Sequence, residues 1–232
     1  MDRAEIFAPE NALLDKAKEY SSPSSKYRLF VTPFNVGKNF WNYTEGIVFR
    51  YGDDKPLFKV QRNYSAFPFA FVEGHPNGHD YLLCGENYQG QTVLELDTGK
   101  RVDYLPEEAK KGVGFCWAFI EPSPSKDLIG VLGCYWGGAC EAMIYDFSDP
   151  MSAPWPAAFD GMGKGVVEDL TWIGQEECKF EVSYEVRKSD GKPEYEMTLE
   201  ESEETEEEAK RLGLEEEDMY EDRKSLITVW KK

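Results

Sequence analysis

Glu73, Glu121 and Asp169 are the carboxylates from which this sequence could build a hydrolytic site. Glu73 and Glu121 end two similar segments, 67–73 and 115–121, which lie 48 residues apart. Two carboxyl groups that converge on one pocket can act as a general acid and a general base or nucleophile, for example on a glycosidic bond. One candidate function is therefore a hydrolase that binds a small molecule or carbohydrate, although equivalent surface turns explain the pair equally well.

The histidines and cysteines do not have the spacing of a metal or redox site. His75 and His79 are separated by Pro76 and Gly78, which prevent the helix on which an i, i+4 pair would bind a metal ion. The five cysteines include no Cys-x-x-Cys pair, so we expect reduced thiols. The sequence predicts neither a metal ion nor a cofactor.

Aromatic residues recur in three predicted turns and are the main candidates for a binding surface. Tryptophan and tyrosine are over-represented among the residues that dominate protein interfaces. If these rings are exposed on one face, they mark a site for a protein partner. If they pack between neighbouring elements, their role is structural. The candidate binding residues are Trp41, Tyr43, Tyr88, Tyr135 and Trp136.

The elements that would position these side chains are short β-strands in a repeated unit. Residues 67–105 and 115–158 each contain four strand-like segments, many of them rich in Val, Ile, Leu, Phe or Tyr, with turns that contain Gly, Asn or Pro. Four strands in about 45–50 residues is the pattern of one blade of a β-propeller. Weaker copies around 40–55 and 169–230 bring the predicted number of blades to about four.

The better copy resembles a WD-repeat blade. Its turn Gly-His-Pro-Asn-Gly-His at 74–79 precedes the second strand, and Leu-Asp-Thr-Gly-Lys at 96–100 resembles the hairpin Trp-Asp-x-x-Thr-Gly-Lys of that family. Leu96 and Tyr145 occupy the tryptophan position in the two copies. The resemblance covers residues 64–160 and implies antiparallel blades whose connecting loops form the ligand-binding face.

The predicted fold is all-β and antiparallel, a β-propeller-like domain of about four WD-like blades over residues 26–232. Four blades are few for a closed ring. Three arrangements therefore stay open: a closed ring of four, an open array that a partner or a second copy of the chain completes, and a two-sheet β-sandwich.

Two segments lie outside the repeats. Residues 1–25 are predicted to form a short N-terminal helix, over 9–20, followed by a polar linker. Residues 200–222 hold 13 acidic residues against Lys210 and Arg211, and so carry −11 of the net charge of −18. Thr205 begins a capping-box pattern, which predicts a solvated helix over about 206–221. This acidic insertion would lie between a strand at 194–199 and another at 225–230.

Charge and hydropathy exclude several function classes. The acidic balance argues against nucleic acid, because phosphate recognition needs a Lys and Arg surface. No run approaches the roughly 18 apolar residues of a membrane span, and the first residues do not have the pattern of a signal peptide. The sequence therefore predicts a cytoplasmic, non-catalytic interaction or scaffold protein that holds a protein partner through its aromatic face.

Overall fold

A computed structural model describes residues 2–135 and 138–230, whose strands form four antiparallel sheets in chain order. Each strand of sheet 1 pairs with the next along the chain, and sheet 2 is built in the same way. Sheet 1 contains β1 (Lys18–Ser21), β2 (Tyr27–Phe34), β3 (Tyr43–Arg50) and β4 (Pro56–Arg62). Sheet 2 contains β5 (Ala70–Val72), β6 (Tyr81–Cys84), β7 (Gln91–Glu95) and β8 (Lys100–Tyr104).

Sheet 3 repeats this meander, whereas sheet 4 departs from it. Sheet 3 contains β9 (Cys116–Pro122), β10 (Leu128–Cys134), β11 (Glu141–Asp146) and β12 (Ala157–Asp160). Sheet 4 contains β13 (Val166–Val167), β14 (Thr171–Ile173), β15 (Glu177–Arg187) and β16 (Tyr220–Trp230). Two short strands, β13 and β14, pair with one edge of β15, and β16 pairs with the other edge along its whole length. The predicted antiparallel all-β fold is confirmed.

Helices make up a small part of the chain. The α-helices are α1 (Arg3–Ile6), α2 (Glu107–Lys110) and α3 (Leu199–Leu212), and single 3-10 turns occur at Pro9–Asn11, Leu14–Lys16, Glu194–Glu196 and Glu216–Met219. Thr198 and Glu201 form a capping box at the start of α3, and Gly213 ends it in the left-handed conformation. Within the described residues, no helix has the length and apolar character needed to cross a membrane.

The four sheets stack face to face in chain order. Alternate side chains of a strand face opposite sides, so a sheet in the middle of the stack can pack on two neighbours at once. Buried clusters join sheet 1 to sheet 2 (Leu29, Leu94), sheet 2 to sheet 3 (Leu83, Ile129) and sheet 3 to sheet 4 (Ile144, Phe180). No buried cluster of described residues joins sheet 1 to sheet 4. The stack of four sheets therefore differs from the two-sheet β-sandwich considered as an alternative.

The repeat seen in the sequence reflects a close approach of two backbone segments. Gly85 and Gly133 lie 48 residues apart, just after β6 and near the end of β10. In both places a Cβ atom would lie 2.4 Å from a backbone oxygen, that of Gly90 in one sheet and that of Cys116 in the other. A side chain would overlap at either position, with the β6–β7 turn at Gly85 and with strand β9 at Gly133, so both positions require glycine.

The N-terminal helix predicted over 9–20 is not formed. Its residues instead form two separate 3-10 turns and then β1, which pairs with β2. The backbone N–H of Leu13 donates to the oxygen of Pro33, so the segment bonds to sheet 1 between its two turns instead of continuing as a helix. A chain that passes beside an unpaired strand edge gains these bonds at the expense of its own helical ones. The short helix at the N-terminus is α1, which lies before the predicted range.

The acidic insertion lies between two strands as predicted, but its internal boundaries differ. No strand forms at 194–199, where a 3-10 turn and the start of α3 are found instead. Thr198, not Thr205, caps the helix. Thr205 lies inside α3, where its Oγ1 donates to the oxygen of Glu201 and accepts from Arg187. The contact with Arg187 of β15 thus holds Thr205 inside the helix rather than at its cap.

Candidate functional site

Three aromatic rings lie in a row on one end of the stack, where the loops between strands meet. Trp41 precedes β3, Tyr64 follows β4, and Tyr88 lies in the turn between β6 and β7. The ring centroids of Trp41 and Tyr64 are 6.5 Å apart, and those of Tyr64 and Tyr88 are 5.6 Å apart. Trp41 is 60% exposed. We call Trp41, Tyr64 and Tyr88 the aromatic surface.

A cavity of about 490 Å³ opens beside the aromatic surface. Tyr64 and Tyr88 form one wall, and the first residues of β9 form the opposite wall. Its lining comprises Arg62, Tyr64, Ala66, Tyr88, Cys116, Trp117, Ala118 and Cys134. A mostly apolar cavity of this size with one polar group is typical of ligand sites. We call it the arginine pocket.

Arg62 lies at the base of the arginine pocket and is only 2% exposed. It is the last residue of β4, and the alternation of that strand places it on the same inner face as Val60. Within the described part of the chain, the guanidinium donates to backbone oxygens alone: Nε to Ala66 at 2.7 Å, Nη1 to Gly85 at 2.7 Å and to Asn87 at 3.0 Å, and Nη2 to Tyr88 at 3.4 Å. These bonds hold the turn that carries Tyr88, and they leave donor capacity on Nη2.

The charge of Arg62 has no acidic partner in the described part of the chain. Burial lowers the pKa of Arg62 to about 10, so the side chain is still a cation at neutral pH. Among the described residues, sixteen pairs of oppositely charged groups lie within ion-pair distance, and none of them includes Arg62. Carbonyl dipoles satisfy its hydrogen bonds without cancelling the charge. The arginine pocket therefore favours an anion.

Two thiols lie on the far wall of the arginine pocket. Cys116 and Cys134 are direct neighbours across the antiparallel pair of β9 and β10. Burial raises the pKa of each thiol. A thiol with a raised pKa is protonated at neutral pH and is a poor nucleophile. This wall therefore offers contact surface rather than covalent chemistry.

The other predicted aromatic residues lie elsewhere. Tyr43 is the first residue of β3, and its ring packs edge-on against Phe7 with a centroid distance of 6.3 Å. Tyr135 contributes to a second cavity, of about 300 Å³, between sheets 2 and 3. Trp136 lies outside the described residues. Trp41 and Tyr88 thus both lie against Tyr64, whereas Tyr43 packs on Phe7 and Tyr135 on Phe115.

The carboxylates proposed for hydrolysis do not share a cavity with the aromatic surface. Glu73 accepts hydrogen bonds from Ser22 and Ser24 and so connects the β1–β2 turn to sheet 2. Burial raises the pKa of Glu121, and the negative charge of Asp169 raises it further. Asp169 lines a cavity on the outer face of sheet 4. Glu73 and Glu121 line neither this cavity nor the arginine pocket.

The two histidines have separate structural contacts. His75 is buried, and its Nε2 lies 3.1 Å from the oxygen of Phe147. His79 lies 2.6 Å from Asp97, and this hydrogen bond raises the pKa of His79 above its usual 6.5. Across residues 2–135 and 138–230, no three side chains of His, Cys, Asp or Glu are grouped so that they could hold a metal ion.

Comparison with known proteins identifies one relative by sequence. No family model matches the chain. It is 32% identical over 203 residues to "Uncharacterized protein R762" of Acanthamoeba polyphaga mimivirus, and the match covers 85% of this chain and 79% of that protein. The chain belongs to the family of that viral protein. Because the name of this relative states no activity, the function must be argued from the site itself.

Arg62 and Tyr64 are the site residues that the sequence did not indicate. A single arginine near the end of a strand usually faces solvent, and nothing in the local pattern marked this one as buried. Tyr64 follows two polar residues in a connection that carries no turn motif. Only the approach of the β6–β7 turn, which brings the oxygens of Gly85 and Asn87 to the guanidinium, reveals the pocket.

Proposed function

We propose that this chain is a non-catalytic binding module that holds a protein partner through the aromatic surface and the arginine pocket. The observation that carries the proposal is a 490 Å³ cavity lined by the rings of Tyr64 and Tyr88, with the exposed ring of Trp41 lying next to Tyr64. Tryptophan, tyrosine and arginine are the residues that most often dominate binding energy at protein interfaces. A pocket beside such rings gives a partner side chain a place to anchor.

The lining of the arginine pocket supports binding rather than catalysis. Among the described residues that line it there is no carboxylate and no histidine, and the pKa values of its two thiols are raised by burial. General acid and base catalysis needs a group that exchanges protons near neutral pH. The residues that line this pocket do not supply such a group, whereas they do supply apolar surface and one fixed cation.

The scaffold in this proposal is a propeller-like array of WD-like blades. Support comes from the four sheets of four strands, which stack in chain order. Each of the two middle sheets packs on the preceding sheet with one face and on the following sheet with the other. Loops between strands gather at one end of such a stack, as Trp41, Tyr64 and Tyr88 do. A cytoplasmic location belongs to the same proposal, because all five cysteines are free thiols.

A double variant tests the proposal. Trp41→Ala with Tyr88→Ala removes two rings of the aromatic surface, and we expect it to lose a stoichiometric protein partner that the unchanged chain retains from its native extract. Because aromatic residues usually dominate the binding energy at interfaces, the amount of retained partner should fall by more than roughly ten-fold. The measurement is quantitative affinity purification, with the melting temperature of each variant as a check on folding.

Trp230→Ala is the matched control, since Trp230 is also 60% exposed but lies on sheet 4. It should retain the partner. If the double variant retains as much partner as the control, or if the unchanged chain holds none, the proposed function is wrong.

A further inference from the structure

We infer that the group of the partner that enters the arginine pocket is a carboxylate attached to an apolar side chain. This inference rests on the proposed function and adds the chemistry of the bound group. Arg62 supplies the charge that selects a carboxylate, and the rings and small side chains around it supply the surface that selects an apolar neighbour.

The first step of the argument concerns the cost of the buried charge. A guanidinium that is 2% exposed has lost most of its hydration, and an unpaired buried charge is expensive even when its N–H groups are bonded. The chain contains 44 acidic residues, but none of those described forms an ion pair with Arg62. A ligand that brings a carboxylate therefore recovers electrostatic energy that the free protein lacks.

The second step concerns geometry. Nε and Nη1 are engaged by the oxygens of Ala66, Gly85 and Asn87, whereas Nη2 makes one long bond of 3.4 Å to Tyr88. A carboxylate oxygen in the pocket can accept a hydrogen bond from the second N–H of Nη2 without breaking the bonds that hold the turn. An N–H that donates to a carboxylate forms a shorter and stronger bond than one that donates to a neutral carbonyl.

The third step concerns the size and polarity of the space. The remaining lining consists of Tyr64, Tyr88, Trp117, two alanines and two thiols. These side chains pack well against an aromatic or large aliphatic group, and a second charge would find no partner among them. The pocket therefore excludes an ammonium group and a strongly hydrated ligand. It fits either the carboxyl-terminal residue of a partner or an acidic side chain beside an apolar one.

The test compares three small molecules that share a phenylethylamine skeleton, of which the first two have nearly the same shape. N-acetylphenylalanine carries a carboxylate beside a ring, its primary amide is neutral, and phenethylamine is a cation. In calorimetric titration of the full chain, we expect the carboxylate to bind at least roughly ten-fold more tightly than the amide, because the amide replaces the ion pair with Arg62 by a weaker contact. We expect phenethylamine to show no binding, because its positive charge is repelled by Arg62.

Two variants locate the binding. Ala118→Trp fills the pocket from its exposed rim without touching the bonds of Arg62, and it should abolish binding of N-acetylphenylalanine with little change in melting temperature. Tyr135→Ala, in the second cavity, should leave binding unchanged. Arg62→Lys should weaken the preference for the carboxylate over the amide if the variant folds.

The outcomes separate this inference from the proposed function. Equal binding of the acid and the amide, no binding of the acid, or unchanged binding by Ala118→Trp overturns the inference. If any of these results is found while the Trp41 and Tyr88 double variant still loses the partner, the proposed function stands and only the chemistry of the bound group is wrong. A peptide with a free carboxyl terminus and the same peptide with a terminal amide then distinguish the two sources of the carboxylate.

Discussion

At the scale of single residues, the environment rather than the residue type decides what each charged group does. Arg62 and Arg101 illustrate this contrast. Carbonyl oxygens surround Arg62, and burial lowers its pKa, whereas Arg101 lies between Asp103 and Glu86, and hydrogen bonds to these carboxylates raise its pKa. The first is a cation that lacks an acidic partner, and the second already has two. Only the first can gain an ion pair from a ligand.

The pair formed by His79 and Asp97 predicts a pH dependence of stability. The folded-state pKa of His79 lies above 6.5, so the stability that the pair contributes is fully present below the unfolded-state pKa and is lost as pH rises through the folded one. We expect the difference in urea midpoint between the unchanged chain and His79→Gln to be largest below about pH 6.5 and to shrink as pH rises through the folded-state pKa. A difference that stays constant as pH rises would show that the charge on His79 contributes nothing.

At the scale of elements, the acidic helix shows how tertiary contacts select among local signals. The sequence analysis placed the cap at Thr205, whereas the helix begins at a second capping pattern, that of Thr198 and Glu201. Lys192 binds both carboxylate oxygens of Glu201, at 2.6 and 2.7 Å, and Arg187 of β15 donates to Thr205. These contacts fix the earlier start.

Thr198→Ala should therefore destabilise α3. Removing an N-cap side chain costs about 1 kcal/mol in helix or protein stability. Glu204→Ala is the control, because Glu204 is exposed in the middle of the helix and should change stability by less than about 0.5 kcal/mol. For both variants, urea unfolding measures the change in global stability, and hydrogen exchange of the α3 amides measures the change in the stability of the helix. Equal effects of the two variants would contradict the assignment of Thr198 as the cap.

At the scale of the whole molecule, the two end sheets decide whether the stack is complete. Every face between neighbouring sheets is filled by a buried cluster. The outer face of sheet 4, by contrast, presents Leu226 at 71%, Ile173 at 41% and Val166 at 39% exposure. On the same face, Lys224 pairs with Glu181 and Lys179 with Glu177. Because these charges already pair within the chain, the exposed apolar side chains would carry the contact, and a two-fold axis would place this surface against its own copy.

We therefore predict that a second copy of the chain covers sheet 4. Light scattering should give a dimer at micromolar concentration, and Leu226→Lys should convert it to a monomer, since a charge placed in an apolar contact leaves an unpaired buried group. Leu14→Lys is the control, because Leu14 is 74% exposed in a 3-10 turn near the N-terminus. A monomer at all concentrations, or a dimer that Leu226→Lys leaves intact, would contradict the prediction.

The sequence by itself located most strands of the two repeated units and their order. Period-two apolar residues, turn glycines and the 48-residue repeat located β6, β7, β9, β10 and β11, because these signals act between residues close in the chain. The sequence also identified the acidic insertion, whose composition needs no tertiary context.

Only the tertiary structure decided what depends on partners distant in the chain. Residues 9–20 have a helical pattern, yet the open edge of β2 turns the end of this segment into a strand. The arginine pocket exists because Arg62 of sheet 1 meets the turn of sheet 2 and the first residues of sheet 3. The burial of Arg62 and the resulting shift in its pKa depend on these contacts between distant segments, and no local sequence pattern encodes them.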